Sequence, residues 1–174
     1  MIEVTFNSYV KAASILLEIV NKAQSNIKTE QISININTQD ALLSQLAVPA
    51  LLAFSIELGL KEILADNKSK IMLEKNLSEK EMTKILEKTH DLTKLFESLP
   101  TELLNEIKSK ACERRMVNIS EFDSLLNAHS HSFIEWRYLH HTMERNNLDN
   151  MQADPDFLIS LAVTLQGYSK LNLG

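Results

Sequence analysis

Residues 50–64 read ALLAFSIELGLKEIL and are apolar almost all round when wound into a helix. A helix with so little polar face belongs at the centre of a bundle or inside a membrane. The wider apolar run, Leu46 to Leu60, is broken by Pro49, Ser55 and Glu57, which makes it too short and too polar to span a bilayer. The expectation is a buried central helix and an all-α fold built around it. Thr38 to Asp40 supply residue types that cap helix N-termini, so this helix is expected from there to about Ala65. Pro49 either kinks it or starts a new helix. Ser55 and Gly59, one turn apart, leave room for another helix to come close.

The composition points the same way. Three Gly and three Pro in 174 residues are too few for the many tight turns of an all-β fold. At this length a single domain over residues 1–174 is expected, large enough to bury a core without disulfides or metal. A net charge of −5 argues against a broad nucleic-acid footprint and leaves room only for a local basic patch. The single cysteine, Cys112, makes no intrachain disulfide. The opening MIEVTFNSYVK lacks the pattern of a secretory signal. A cytoplasmic protein with no membrane association is expected.

Val10, Ala13, Leu16, Leu17, Val20 and Ala23 recur at three- and four-residue steps and predict a helix over about 7–24. Residues 25–40 are polar. Ile32, Ile34 and Ile36 alternate there as in a strand but have no evident partner, so an extended loop is expected. The charged stretch 66–78 reads as an exposed loop. A short helix over Glu79 to Lys88 follows, with Ser78 as cap. Asp91 or Thr89 caps another over Leu92 to Leu99. Pro100 stops it, and Thr101 caps the next, Glu102 to about Met116. A last helix, Asp156 to about Leu171, has Asp154 as cap and Pro155 in its first turn. About five to six helices are expected, with no internal repeat.

Glu121 to Glu144, EFDSLLNAHSHSFIEWRYLHHTME, reads as one further helix, with Ser120 and Asp123 as a weak capping box. At about 100° per residue, Phe122, Leu125, Leu126, His129, Phe133, Trp136, Arg137, His140 and Met143 share one face. His131, Glu135, Tyr138 and Thr142 point away, and His141 lies on a flank. Arg137 on an apolar stripe needs a partner. Glu57 is the candidate, although Lys61, four residues beyond Glu57, is placed to take it instead. The alternative places Arg137 in a cleft, in contact with an anion such as a phosphate. The histidines diverge around this helix, and no HExxH pair exists, so no metal site is expected and no cofactor is implied. His90 either packs in a turn or joins the Arg137 site. Cys112 beside Glu113 and two arginines is either an ordinary helix cysteine or a thiol of lowered pKa. Lys108, Lys110, Arg114 and Arg115 form the basic cluster, read as a solvated face with RNA contact as the alternative.

Three segments carry a family resemblance: SIELGLKEIL (Ser55 to Leu64), THDLTKLFESL (Thr89 to Leu99) and FDSLLNAHSHSFIEWRYLHH (Phe122 to His141). An E-x-x-x-K helix, an H-D-L turn and a helix with W-R-Y, in that order, resemble HEPN-domain proteins, in particular bacterial HEPN-like proteins with an R-Y-x-H element. The resemblance covers roughly Leu42 to Leu171. It implies an up-and-down bundle, commonly a homodimer, and a polar cluster made of Glu57, Lys61, His90, Asp91, Arg137 and Tyr138. Some members of the family are ribonuclease toxins paired with nucleotidyltransferase-like antitoxins, and others are noncatalytic binding modules. The ribonucleases carry R-x4-6-H. This chain instead has Arg137 followed by His140 and His141, although His141 still falls one turn from Arg137.

The first expectation is therefore a noncatalytic, homodimeric HEPN-like module that binds a partner protein or a nucleotide-like or RNA ligand. The second is a metal-independent ribonuclease of toxin type. In that case His141 or His140 would activate the 2′-hydroxyl and Arg137 would stabilise the phosphorane. A third is a structural subunit in which the Arg137 cluster is fully buried.

Overall fold

The computed structural model describes residues 38–115, 118–131 and 154–168, with side chains of the first helix from Val48 onward. The expected helix over 7–24 and most of the expected loop over 25–40 lie outside those residues. Among the described residues there are seven helices and no strand, so the all-α expectation holds and the count of five to six was too low. They are α1 (Thr38–Asp66), α2 (Lys68–Glu74), α3 (Glu79–Lys88), α4 (Leu92–Glu97), α5 (Thr101–Arg115), α6 (Ile119–Ala128) and α7 (Pro155–Gln166). None of them is long and apolar enough to cross a membrane.

Helix α1 is the centre, and it runs unbroken through Pro49. Leu52, Ile56, Leu60 and Leu64 follow at four-residue steps with no exposed surface, each contributing roughly 1.5–3 kcal/mol by burial. Against it pack α7, through Phe157, Leu158, Leu161 and Leu165, and α4, through Leu92, Leu95 and Phe96. Helix α5 closes on α7, and α6 bridges α4 and α5. The aromatic rings form a chain through these contacts. Phe96 meets Phe122 at 5.3 Å between centroids, and Phe122 meets Phe157 edge-on at 5.3 Å. The buried hydroxyls of Ser55 and Ser160 are both bonded, one within its helix and one across helices. Ser55 donates to Leu51 O at 2.7 Å, and Ser160 donates to Ala111 O at 2.8 Å, tying α7 to α5.

The stretch 66–78 is not a loop throughout. Its middle is α2, which buries Ile71 completely among charged neighbours. With one apolar anchor in two turns, no periodicity signals it. Asn76, at φ 51°, ends the helix in the left-handed conformation, and Leu77 N–H reaches back to Met72 O at 3.0 Å. That pairing is a Schellman-type stop, for which Asn is the usual substitute when Gly is absent.

Four other boundaries differ from expectation. Helix α4 ends at Glu97, two residues early. Thr101 is the first residue of α5 rather than its cap. Its N–H and hydroxyl both donate to Glu74 Oε1, at 2.9 and 2.6 Å, so the cap comes from another helix. Helix α6 is capped by Asn118, whose Oδ1 accepts from Glu121 N–H at 3.0 Å, and not by Ser120. Helix α7 stops at Gln166, with Gly167 as C-cap, where about Leu171 was expected.

The largest correction concerns 121–144, which does not continue as one helix. Helix α6 closes at Ala128, and residues 129–131 form a turn. His129 is thus a C-cap residue and not one member of a long stripe. It is 1% exposed and stacks on Phe157 with 6.0 Å between centroids. Its Nε2 accepts the Asp154 backbone N–H at 3.2 Å, which requires that nitrogen to be unprotonated. Burial pushes the His129 pKa down and Arg115 adds to that, against an upward pull from Asp154. Asp154 caps α7 through Phe157 N–H at 2.9 Å and pairs with Arg115. One clasp thus joins the end of α5, the turn after α6 and the start of α7.

Candidate functional site

Of the residues that the resemblance gathers into a polar cluster, the structure brings three into direct contact. Glu57 sits on α1 with its side chain 3% exposed. Its Oε1 accepts from Lys61 Nζ at 2.9 Å and lies 2.9 Å from His90 Nδ1. The reason is local on both sides. Glu57 and Lys61 are one turn apart on the same helix. His90 arrives on the Thr89–Asp91 turn that Asp91 fixes by capping α4, its Oδ1 accepting from Lys94 N–H at 3.1 Å. Among the described residues Glu57 Oε2 is buried without a hydrogen-bond partner. Arg137 and Tyr138, and the His140 and His141 of the ribonuclease expectation, lie outside the described residues.

His90 also lines a cleft of about 710 Å³. Its walls are α3, α4 and the turn after α6, and Leu77 and Ile85 supply apolar surface. Four lysines line it, Lys75, Lys84, Lys88 and Lys94, with His90 and His131, against three carboxylates, Glu81, Asp91 and Glu97. Two of those carboxylates are engaged in caps. Glu81 completes the capping box of α3, its Oε2 accepting from Ser78 N–H at 2.8 Å, and hydrogen bonds from Ser78 hold its pKa below the usual value. Burial works to raise the Asp91 pKa, but hydrogen bonds from Lys94 and the charges of Lys94 and His131 hold it down. Lys94 pairs with Asp91 at 3.0 Å, and Lys75 donates to the Glu97 carbonyl. Lys84 and Lys88 are exposed and make no ion pair among the described residues. A volume within the usual range for small-ligand pockets and an uncompensated pair of lysines suit an anion.

The residues 129–131 close one end of this cleft. Leu92 N–H donates to Ser130 O at 2.9 Å, and His131 Nε2 stands 3.9 Å from Asp91 Oδ2. The clasp at His129 therefore sets where His131 meets the cleft.

Lys84 and Lys88 were missed from the sequence, although a signal existed. Lys80, Lys84 and Lys88 recur every four residues on α3. Like charges at that spacing cost a few tenths of a kcal/mol per pair, roughly 0.2–0.5, so a row of them invites a functional explanation.

The basic cluster on α5 has a different character. Lys108 pairs with Asp123 at 2.6 Å, Lys110 with Glu106 at 2.8 Å, and Arg115 with Asp154. Lys110 also lies 4.8 Å from the Tyr168 ring centroid. Three of its four cations are thus engaged by acids, and Lys108 and Arg115 are mostly covered, which argues against RNA contact without making the cluster a fully solvated face. Cys112 is buried, and burial pushes its thiol up despite the opposing charge of Lys108, which favours the ordinary helix cysteine over the alternative of a lowered pKa. Comparison with known proteins finds no matching family model, curated protein or solved structure.

Proposed function

We propose that the chain is a HEPN-like helical module that binds a nucleotide-like ligand by its phosphate in the His90 cleft, without carrying out chemistry on it. The observation that carries this reading is the pair Lys84 and Lys88, unpaired among the described residues and lining one cleft with His90. Charge-assisted hydrogen bonds to phosphate are worth about 1.5–3 kcal/mol each. Calorimetric titration with AMP should show binding, and Lys84→Glu with Lys88→Glu should weaken it by about tenfold or more. Equal binding by the double variant, or no binding by the wild type, overturns the assignment. A homodimer and a nucleotidyltransferase-like partner protein enter this reading through the family resemblance alone, and sedimentation analysis tests the first of them.

A metal-independent ribonuclease is the second reading, and one observation favours it. His90 has Nδ1 on a buried carboxylate and its ring at a cleft, an arrangement in which imidazole serves as a general base. RNA cleavage without metal, lost in His90→Ala as well as in Arg137→Ala and His141→Ala, would move the assignment to it.

A further inference from the structure

We infer that the cleft selects a phosphomonoester end, and that His90 Nε2 shares one proton with it on binding. The inference rests on the phosphate-binding reading above and adds to it the ionic form of the ligand and a proton count.

The starting point is the Glu57–His90 contact. Nδ1 stands 2.9 Å from a carboxylate oxygen, so it carries hydrogen and donates. The same oxygen also accepts from Lys61, and the Glu57 side chain is 3% exposed. The His90 side chain is 44% exposed and lines the cleft, which among the described residues leaves Nε2 as the ring nitrogen available to a ligand. With Nδ1 protonated, a neutral ring presents a lone pair at Nε2. A lone pair repels an unprotonated phosphate oxygen. A hydrogen bond there needs one proton, either on Nε2 or on the phosphate.

A phosphodiester has no proton to bring near neutrality, whereas a phosphomonoester titrates near pH 6. Imidazole changes charge in the same range. A monoester can therefore meet His90 with the proton on either partner, and its second negative charge gives Lys84 and Lys88 more to bind than a diester does. The charged groups around His90 agree with this. Glu57 and Lys61 approach from α1, Asp91 and Lys94 from its own turn and α4, Lys88 from the end of α3, and His131 from the turn after α6. Asp91 already pairs with Lys94 and Glu57 with Lys61, so the acids near the ring are partly neutralised before a ligand arrives.

Titration calorimetry at pH 8 in two buffers of different ionisation heat gives the proton count directly. The probes are inorganic phosphate, AMP, and the dinucleoside monophosphate ApA, which has no terminal phosphate. AMP should bind with uptake of up to one proton and lose affinity by up to about tenfold per pH unit above neutrality. ApA should bind at least about tenfold more weakly. Equal binding of AMP and phosphate would assign recognition to the phosphate alone, and stronger binding of AMP would add the nucleoside; both support the inference. His90→Gln, which leaves Lys61 on Glu57, should bring the proton uptake for AMP close to zero, with circular dichroism melting as the check on folding. The same uptake in His90→Gln and wild type, or ApA binding as tightly as AMP, overturns the inference while leaving phosphate binding standing. Failure of every probe to bind removes the phosphate-binding reading itself.

Discussion

At the scale of single residues, His129 and His90 show how one side chain takes opposite roles in neighbouring environments. His90 is part exposed, with its Nδ1 against a carboxylate and the rest of its ring at the cleft. His129 is buried against Phe157, and its Nε2 accepts from a backbone N–H. Protonating His129 removes that acceptor and places a charge in a desolvated site near Arg115. Its folded pKa lies below the ordinary 6.5, so on acidification the unfolded chain takes up the proton first. The stabilising contribution is complete above that value and is lost as pH falls through the folded pKa. Urea midpoints should therefore decline from pH 7.5 to 5.5, and the decline should be shallower in His129→Leu. An equally steep decline in the variant would place the linkage elsewhere.

Among the elements, helix ends proved harder to read than helix interiors. The starts at Asp91 and Asp154 were visible because each cap lies next to its own helix. Thr101 was misread because the group satisfying it, Glu74, belongs to another helix, and no local pattern encodes that meeting. Asn118 and Ser120 are a closer contest, since both are capping residue types at adjacent turns. The observed geometry makes Asn118 the cap, with Ser120 merely donating to Asn118 Oδ1 at 2.6 Å. Asn118→Ala should cost about 1 kcal/mol of unfolding free energy. Ser120→Ala should stay within about 0.5 kcal/mol. Chemical denaturation of the two variants separates the assignments, and a reversed order would restore Ser120.

For the whole molecule, the apolar patterning was enough to place the centre. Residues 50–64 read as a buried helix, and α1 supplies the fully buried ladder from Leu52 to Leu64. The packing partners were not legible, because which face of α7 or α4 meets α1 depends on shape rather than on period. The aromatic chain Phe96, Phe122, Phe157 is the clearest example, since its members come from three helices far apart in sequence. Phe122 stands in the middle with no exposed surface. Phe122→Ala should destabilise the fold by roughly 3–5 kcal/mol. The exposed Leu73, at 86%, should by contrast tolerate serine within about 0.5 kcal/mol. Thermal melts of both variants check the contrast, and comparable losses would mean that Leu73 is covered. The cleft was only half legible. Glu57, Lys61 and His90 were singled out, but the lysines of α3 acquire meaning only when the fold sets them beside His90.

The bond from Leu92 N–H to Ser130 O has a consequence for how the molecule breathes. The first amide of a six-residue helix ordinarily exchanges its hydrogen with water almost freely, because no earlier turn covers it. This one is bonded to a distant segment on a residue that is 1% exposed. Its exchange reports the parting of α4 from the turn after α6, the two elements that carry His90 and His131 to the cleft. Deuterium labelling at that single position thus registers the opening of the cleft's frame, even while the helices on either side stay wound.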